Sequence, residues 1–256
     1  MSILRLVAIA WLVNLKSLTR SAFFSFTAVI QPIVFATIAT YMFRAGHRPG
    51  TLLYTSLGAA LMGTWSATLF GSGGAIAWQR FQGTLELLVA SPRPFLVVMA
   101  GQTLATATLG VYSLAGTLLW GRLLFGIPLS LVHPVLFVVA VPVTILALGM
   151  LGLVLASTFV LYRNTTAFSN LLEYPVWLAS GLLVPVSLLP RWVEPLSWLL
   201  APTWGVRAIR AAALGGDPVA AVATAAALGC AYVVLGALLV RHFERLARER
   251  ATLALA

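Results

Sequence analysis

Long apolar runs alternate with short polar islands along the whole chain. A transmembrane helix needs about 20 mainly apolar residues, and the runs predict six such spans, at 21–43, 51–78, 95–121, 134–162, 167–186 and 218–240. The islands between them carry most of the charge and the turn residues: Gly46-His47-Arg48-Pro49-Gly50, Arg122 to His133 with Pro128, and Arg163-Asn164-Thr165-Thr166. Asp217 is placed to cap the sixth span, with Pro218 at its first helical position.

Two stretches do not fit a plain hairpin pattern. Residues 1–20 place Arg5, Lys16 and Arg20 among Leu4, Ile9, Trp11, Leu12 and Leu15. Such a run is too interrupted for a signal-peptide core. It suits an amphipathic helix lying in the membrane interface, with a basic flank of the first span as the plainer alternative. The other is the island Trp78 to Pro92, at 79–93 between the second and third spans. Gly83 breaks the incoming helix, Thr84 is a good N-cap, and Glu86 falls in the first turn, where the helix dipole favours negative charge. Ser91-Pro92 then stops the helix, because a residue before proline avoids the helical region. Thr84 to Ala90 therefore reads as one short, bounded helix across the membrane face, which could equally be an interfacial connector.

Within the second span Ala59, Gly63, Ala67, Gly71 and Ala75 recur every fourth residue. Small side chains on one helix face let another backbone approach closely, although an Ala- and Gly-rich chain also produces such spacing by chance. Between the fifth and sixth spans, residues 187–217 are mixed in character. Glu194-Pro195 could start one short helix, and Thr203 could cap another that ends at Gly215-Gly216. Trp192, Trp198 and Trp204 are amphipathic aromatics of the kind found at membrane interfaces.

Composition supports the membrane reading. Of 256 residues, 61% are hydrophobic and only 9% charged, whereas a soluble domain carries about 25% charged residues. The mean hydropathy is +0.99. The net charge of +10 does not point to nucleic acid, because the charges sit at the ends of apolar segments, where topology places them. With the termini inside, the inner face holds Arg5, Lys16, Arg20, Arg80, Arg93, Arg163, Arg241, Arg245, Arg248 and Arg250. The outer face then holds the smaller set, Arg44, Arg48, Arg122, Arg191, Arg207 and Arg210. That bias predicts both termini in the cytoplasm, and it makes the island at 79–93 cytoplasmic too.

Several chemistries lack their parts. The single cysteine, Cys230, rules out a disulfide framework within one chain. His47, His133 and His242 are far apart and outside the spans, so no metal site is expected. No GxxxxGK[ST] phosphate loop, HExxH or GxSxG motif occurs. ATP hydrolysis by a phosphate loop is thus not expected on this chain. Glu173 is the one acidic residue well inside a predicted span. Such a group usually faces a bundle interior or a wet cavity, and with Tyr174-Pro175 it could mark a kink beside a pathway. Alternatively Glu173 sits at the cytoplasmic edge and pairs with Arg163.

The segment Arg80-Phe81-Gln82-Gly83-Thr84-Leu85-Glu86-Leu87-Leu88, closing at Ser91-Pro92, resembles the cytoplasmic loop of ATP-binding-cassette (ABC) type-2 exporter permeases of the drug, polysaccharide and nodulation-factor type. A second run, Leu178-Ala179-Ser180-Gly181 followed by Pro185, Leu189-Pro190, Trp192, Leu196 and Pro202, looks like the same family's segment after the fifth span. Together the two runs, the length and the span count cover the whole chain. Gln79 departs from the pattern, which often has an acidic residue there, and this puts one docking contact in doubt.

The resemblance implies that 79–93 forms a coupling helix docked on a separate ATPase subunit. Arg80, Gly83, Thr84, Leu85, Glu86 and Leu88 would make the contact. It implies short re-entrant extracellular helices at 187–217 and a pathway lined partly by the fifth span, with Glu173, Tyr174 and Trp177 as its candidate residues. It also implies no cofactor on this chain, with ATP and Mg on the partner, two ATPase copies, and a homodimer or a heterodimer with a related permease. The expectation is an all-α polytopic permease of a bacterial inner membrane, exporting an amphiphilic substrate such as a drug, antibiotic, lipid or lipid-linked saccharide. The rivals are an ion-driven secondary transporter, a membrane-embedded lipid-modifying enzyme, and a sensing complex on the same scaffold.

Overall fold

The computed structural model describes residues 3–20, 30, 33–34, 37–38, 40–41, 52–81, 83, 95–127, 129–159 and 165–250, without the side chains of 74–78, 80–81, 165–166 and 243–250. Among the described residues all regular structure is helical. The helices are α1 (Ile3–Arg20), α2 (Leu52–Phe81), α3 (Phe95–Phe125), α4 (Pro134–Phe159), α5 (Thr165–Ala179), α6 (Val193–Trp198), α7 (Ala201–Leu214) and α8 (Val219–Arg250), with one 3-10 turn at Val186–Leu188. Among the described residues three helices are long and apolar enough to cross a membrane: Phe95–Phe125, Pro134–Phe159 and the Val219–His242 part of α8. Most of the predicted first span, 21–43, lies outside the described residues.

Local signals explain most helix ends. The Asp217 carboxylate accepts the Val219 amide at 2.9 Å and so caps α8, as the sequence predicts. Past the end of α2, Gly83 has φ +67°, a left-handed conformation that costs glycine nothing. Residues 82 and 84–94 lie outside the described residues. The α5 helix ends at Ala179 because the Ser180 hydroxyl folds back onto the Val176 carbonyl and Gly181 turns the chain at φ +77°. The expected cap at Thr203 is not one. The α7 helix starts two residues earlier, at Ala201, after an extended Leu200, and Thr203 is buried inside it. Pro202 fits the first turn of α7, where its missing N–H has no partner to lose.

The helix pairs fix which ends lie together. From N- to C-terminus, α2 meets α3 at Thr64 with Gly110 and then at Gly71 with Thr106, so the two run antiparallel. It meets α5 at Gly58 with Leu182, just beyond the end of α5, then at Ser66 with Glu173 and at Gly73 with Ser169, again antiparallel. The α4 and α8 helices run parallel, with Ala147 on Gly229 and Leu153 on Gly236. One end of the bundle therefore holds Phe81, Phe95 and Phe159. The opposite end holds the starts of α2, α4 and α8, with α7 packed against these helices and α6 against α5 and α7.

The closest helix approaches are made by small and hydroxylated residues, within a core of large apolar side chains such as Leu57, Trp65, Leu69, Met99 and Leu148. A Cβ on Gly71 would lie 2.3 Å from Thr106 Cγ2, and one on Gly152 of α4 would lie 2.7 Å from Ser72 Oγ. Such backbones are too close for any larger residue, the packing expected where lipid gives no hydrophobic drive for helices to associate. Many of the hydroxyls donate to carbonyls one turn back in their own helix, as Thr68 does to Thr64 at 2.9 Å and Ser72 to Thr68 at 2.6 Å. These hydroxyls are thus buried with their donors satisfied, whereas Trp65 Nε1, Ser113 Oγ, Thr117 Oγ1 and Thr203 Oγ1 are buried without a hydrogen-bond partner among the described residues. The α1 helix lies against α3, with the Trp11 indole N–H donating to Thr108 Oγ1 at 3.0 Å and Gly101 seated on Ala10.

Candidate functional site

The α5 helix has two unlike faces. Ser169, Val176 and Ser180 are buried, and Glu173 between them is half-buried. Leu171, Tyr174, Pro175 and Leu178 on the other face are exposed, Tyr174 to 60%. Ser66 Oγ of α2 donates to Glu173 Oε1 at 2.6 Å, a distance typical of a strong hydroxyl–carboxyl bond. The Tyr174 and Trp177 rings meet edge to face, with centroids 5.1 Å apart. The helix continues through Pro175. Proline has no N–H, so the Leu171 carbonyl loses its usual intrahelical donor there. The predicted trio Glu173, Tyr174 and Trp177 thus lies on consecutive turns, with the carboxyl turned to α2 and Tyr174 to the uncovered face. Arg163, the alternative partner for Glu173, lies outside the described residues.

The Ser66–Glu173 bond yields a direct expectation. A net hydrogen bond contributes about 0.5–1.5 kcal/mol, so Ser66→Ala should lower stability by about 1 kcal/mol. Glu173→Gln, which keeps an oxygen acceptor, should cost less. Thermal unfolding of the purified variants in detergent checks the order, and equal losses would contradict it.

Of the predicted coupling residues, Gly83 is exposed. Arg80 lies in the last turn of α2, with its side chain outside the described set. Thr84, Leu85, Glu86 and Leu88 lie outside the described residues. Gln79, the position that departs from the family pattern, is buried on α2. Among the predicted packing residues Ala59 and Gly63 are buried, while Ala67 and Gly71 are partly so.

At the other end the structure shows a site that sequence reasoning missed. Arg210 of α7 is only 8% exposed. Its Nε donates to the Tyr54 carbonyl at 3.1 Å, Nη1 to the Gly181 carbonyl at 2.8 Å and Nη2 to the Leu182 carbonyl at 3.0 Å. The guanidinium carbon stands 3.6 Å from the centroid of the Tyr54 ring, which adds a cation–π attraction. Gly58, one turn beyond Tyr54, makes room for this. A Cβ there would lie 2.2 Å from the Leu182 carbonyl oxygen and 2.3 Å from Arg210 Nη2. Burial lowers the Arg210 pKa to about 10, with Tyr54 acting in the opposite direction, so the group stays charged at neutral pH.

Helical spacing was the signal available: Thr203, Val206, Arg210 and Ala213 share one side of α7, and all four are buried. Arg207 is exposed and stands 4.9 Å from the Trp204 ring centroid. The Trp204 indole N–H donates to the Trp198 carbonyl at 2.9 Å. The α3–α4 loop closes this end, because the Val132 and His133 amides donate to the Ala213 and Ala212 carbonyls at 3.1 and 2.9 Å. Those carbonyls are the ones a helix C-terminus leaves without intrahelical partners. Tyr232 Oη of α8 donates to the Leu199 carbonyl between α6 and α7. Among the described residues no group of three His, Cys, Asp or Glu side chains could hold a metal ion.

Long apolar helices, packed at their closest points through glycine and hydroxyl contacts and closed at one end by two short helices, make this a membrane protein that is helical throughout its described regular structure. The model of the ABC-2 type transporter family matches residues 5–214, and the chain belongs to that family. It is therefore a transport permease of the ABC class. A search of curated proteins gives no match.

Proposed function

We propose that the chain is the transmembrane subunit of an ATP-driven exporter that moves an amphiphilic substrate out across the bacterial inner membrane, energised by a separate ATPase subunit. The family match over residues 5–214 carries this reading. Six spans, with both termini in the cytoplasm, would put the loop after α2 on the cytoplasmic side and α6 and α7 on the outer side. In support, the end of α2 and the start of α3 lie at the bundle end opposite α6 and α7. The absence of a phosphate loop from the sequence fits a motor on another polypeptide. Two permease copies would face each other, with two ATPase subunits gripping Arg80, Gly83, Thr84, Leu85, Glu86 and Leu88. The exposed face of α5, carrying Leu171, Tyr174 and Leu178, would border the pathway. An apolar surface with an aromatic hydroxyl on it suits an amphiphile.

The test is Glu86→Ala and Arg80→Ala in the reconstituted permease–ATPase complex. Substrate-stimulated ATP hydrolysis should fall about tenfold, the equivalent of about 1.4 kcal/mol of lost coupling. The basal rate of the ATPase alone should be unchanged. Unaltered stimulation in both variants would remove the loop from this role.

A further inference from the structure

Arg210 joins three segments that are far apart in sequence: the first turn of α2 at Tyr54, the turn after α5 at Gly181 and Leu182, and α7 itself. The guanidinium presents five N–H donors in a rigid planar fork. Its three acceptors are backbone carbonyls, which cannot rotate away as side chains do. The guanidinium also lies over the Tyr54 ring. Separating any one segment would leave a buried positive charge short of acceptors, and would strand a carbonyl at the end of α5 that has no further helical turn to supply a donor. Gly58 keeps the α2 backbone against the same carbonyl, so the junction is closed from two sides.

We infer that Arg210 is a positioning residue that fastens the ends of α2, α5 and α7 into one rigid block, so that outward opening occurs at the borders of this block and never between α5 and α7. The inference rests on the transport reading only for its statement about opening. The fastening itself is a property of the folded chain. Motions of packed elements occur between discrete arrangements, and the boundaries that move are those held weakly. The uncovered face of α5, with Leu171, Tyr174 and Leu178, is such a boundary, and the Arg210 junction is not.

The test places spin labels at Leu178 on the exposed face of α5 and at Leu214 at the exposed end of α7, in a Cys230→Ser background. Distances are read by pulsed electron paramagnetic resonance on the permease–ATPase complex in lipid nanodiscs. With doubly labelled copies diluted in excess unlabelled permease, one narrow distance within a single copy is expected, unchanged between the nucleotide-free and ATP-trapped states. In Arg210→Met the distribution should broaden or split while helix content by circular dichroism stays at the wild-type level. If that variant does not fold, Arg210→Lys is read in its place, because it keeps the charge but loses the fork. A nucleotide-dependent change in the wild-type distance would overturn the inference. So would a variant distribution as narrow as the wild type. If the complex shows no ATP hydrolysis, the transport reading fails, and the nucleotide-free comparison of wild type with the variant alone decides the role of Arg210.

Discussion

Gly58→Ala is expected to destabilise the protein by about 2–4 kcal/mol, although alanine is the better helix former. In a helix interior alanine gains about 1 kcal/mol over glycine. Against that gain, the new methyl would stand 2.2 Å from the Leu182 carbonyl oxygen and 2.3 Å from Arg210 Nη2. The carbonyl cannot retreat without giving up the 3.0 Å bond from Nη2. A hydrogen bond from a charged group contributes about 1.5–3 kcal/mol, and overpacking adds about 1–3 kcal/mol. The clash therefore outweighs the propensity. Thermal unfolding in detergent reads the loss, together with the yield of monodisperse protein. Tyr54→Phe is the comparison, because it keeps the ring and the main-chain oxygen that Arg210 contacts and removes only the hydroxyl, and it should cost less than Gly58→Ala. A Gly58→Ala protein as stable as the wild type would show that α2 and the turn after α5 are further apart than the structure has them.

The second large effect is expected at the α2–α3 crossing. A Cβ on Gly110 would lie 2.4 Å from Thr64 Cγ2 and 2.9 Å from Thr64 Cα. The second of these atoms is backbone, so a rotamer change at Thr64 relieves only part of the contact. Thr64 Oγ1 also donates to the Gly110 carbonyl at 3.1 Å, a bond that needs the two backbones in contact. Gly110→Ala should thus cost about 1–3 kcal/mol by overpacking. Thr64→Ser removes the nearer atom and should recover part of that loss when combined with Gly110→Ala. A double-mutant cycle measures the recovery as a coupling of at least about 0.5 kcal/mol. Strict additivity of the two changes would mean that the residues are not in contact.

Both predictions concern glycines that the sequence did not single out. It drew attention to the small residues of α2 at Ala59, Gly63, Ala67 and Gly71. The structure does set Gly71 against Thr106. At its crossings with α3 and α4 a partner helix also supplies a glycine, Gly110 from α3 and Gly152 from α4. There α2 presents hydroxylated side chains, Thr64, Thr68 and Ser72. Large apolar residues and small ones are interspersed all round α2, so its sequence gives little contrast from which a buried face could be read.

The sequence by itself determined what depends on neighbours along the chain. The all-helical character follows from the apolar runs. The Asp217 cap, the break at Gly83 and the stop after Leu214 at Gly215 follow from single residues acting on adjacent peptide groups. Tertiary structure alone decided the rest, because it joins groups separated by many residues. Thr203 looked like a cap and became a buried α7 residue, since Leu200 and Pro202 set the helix start earlier. Arg210 looked like one more outer-face charge, but the carbonyls of Tyr54, Gly181 and Leu182 converge on it only when α2, α5 and α7 meet. Glu173 found its partner on α2, at Ser66, where nothing local links the two. Helix formation is set by short-range backbone hydrogen bonds that the residue pattern encodes. A buried charge is tolerated only where distant acceptors arrive together, and that is a property of the assembled bundle.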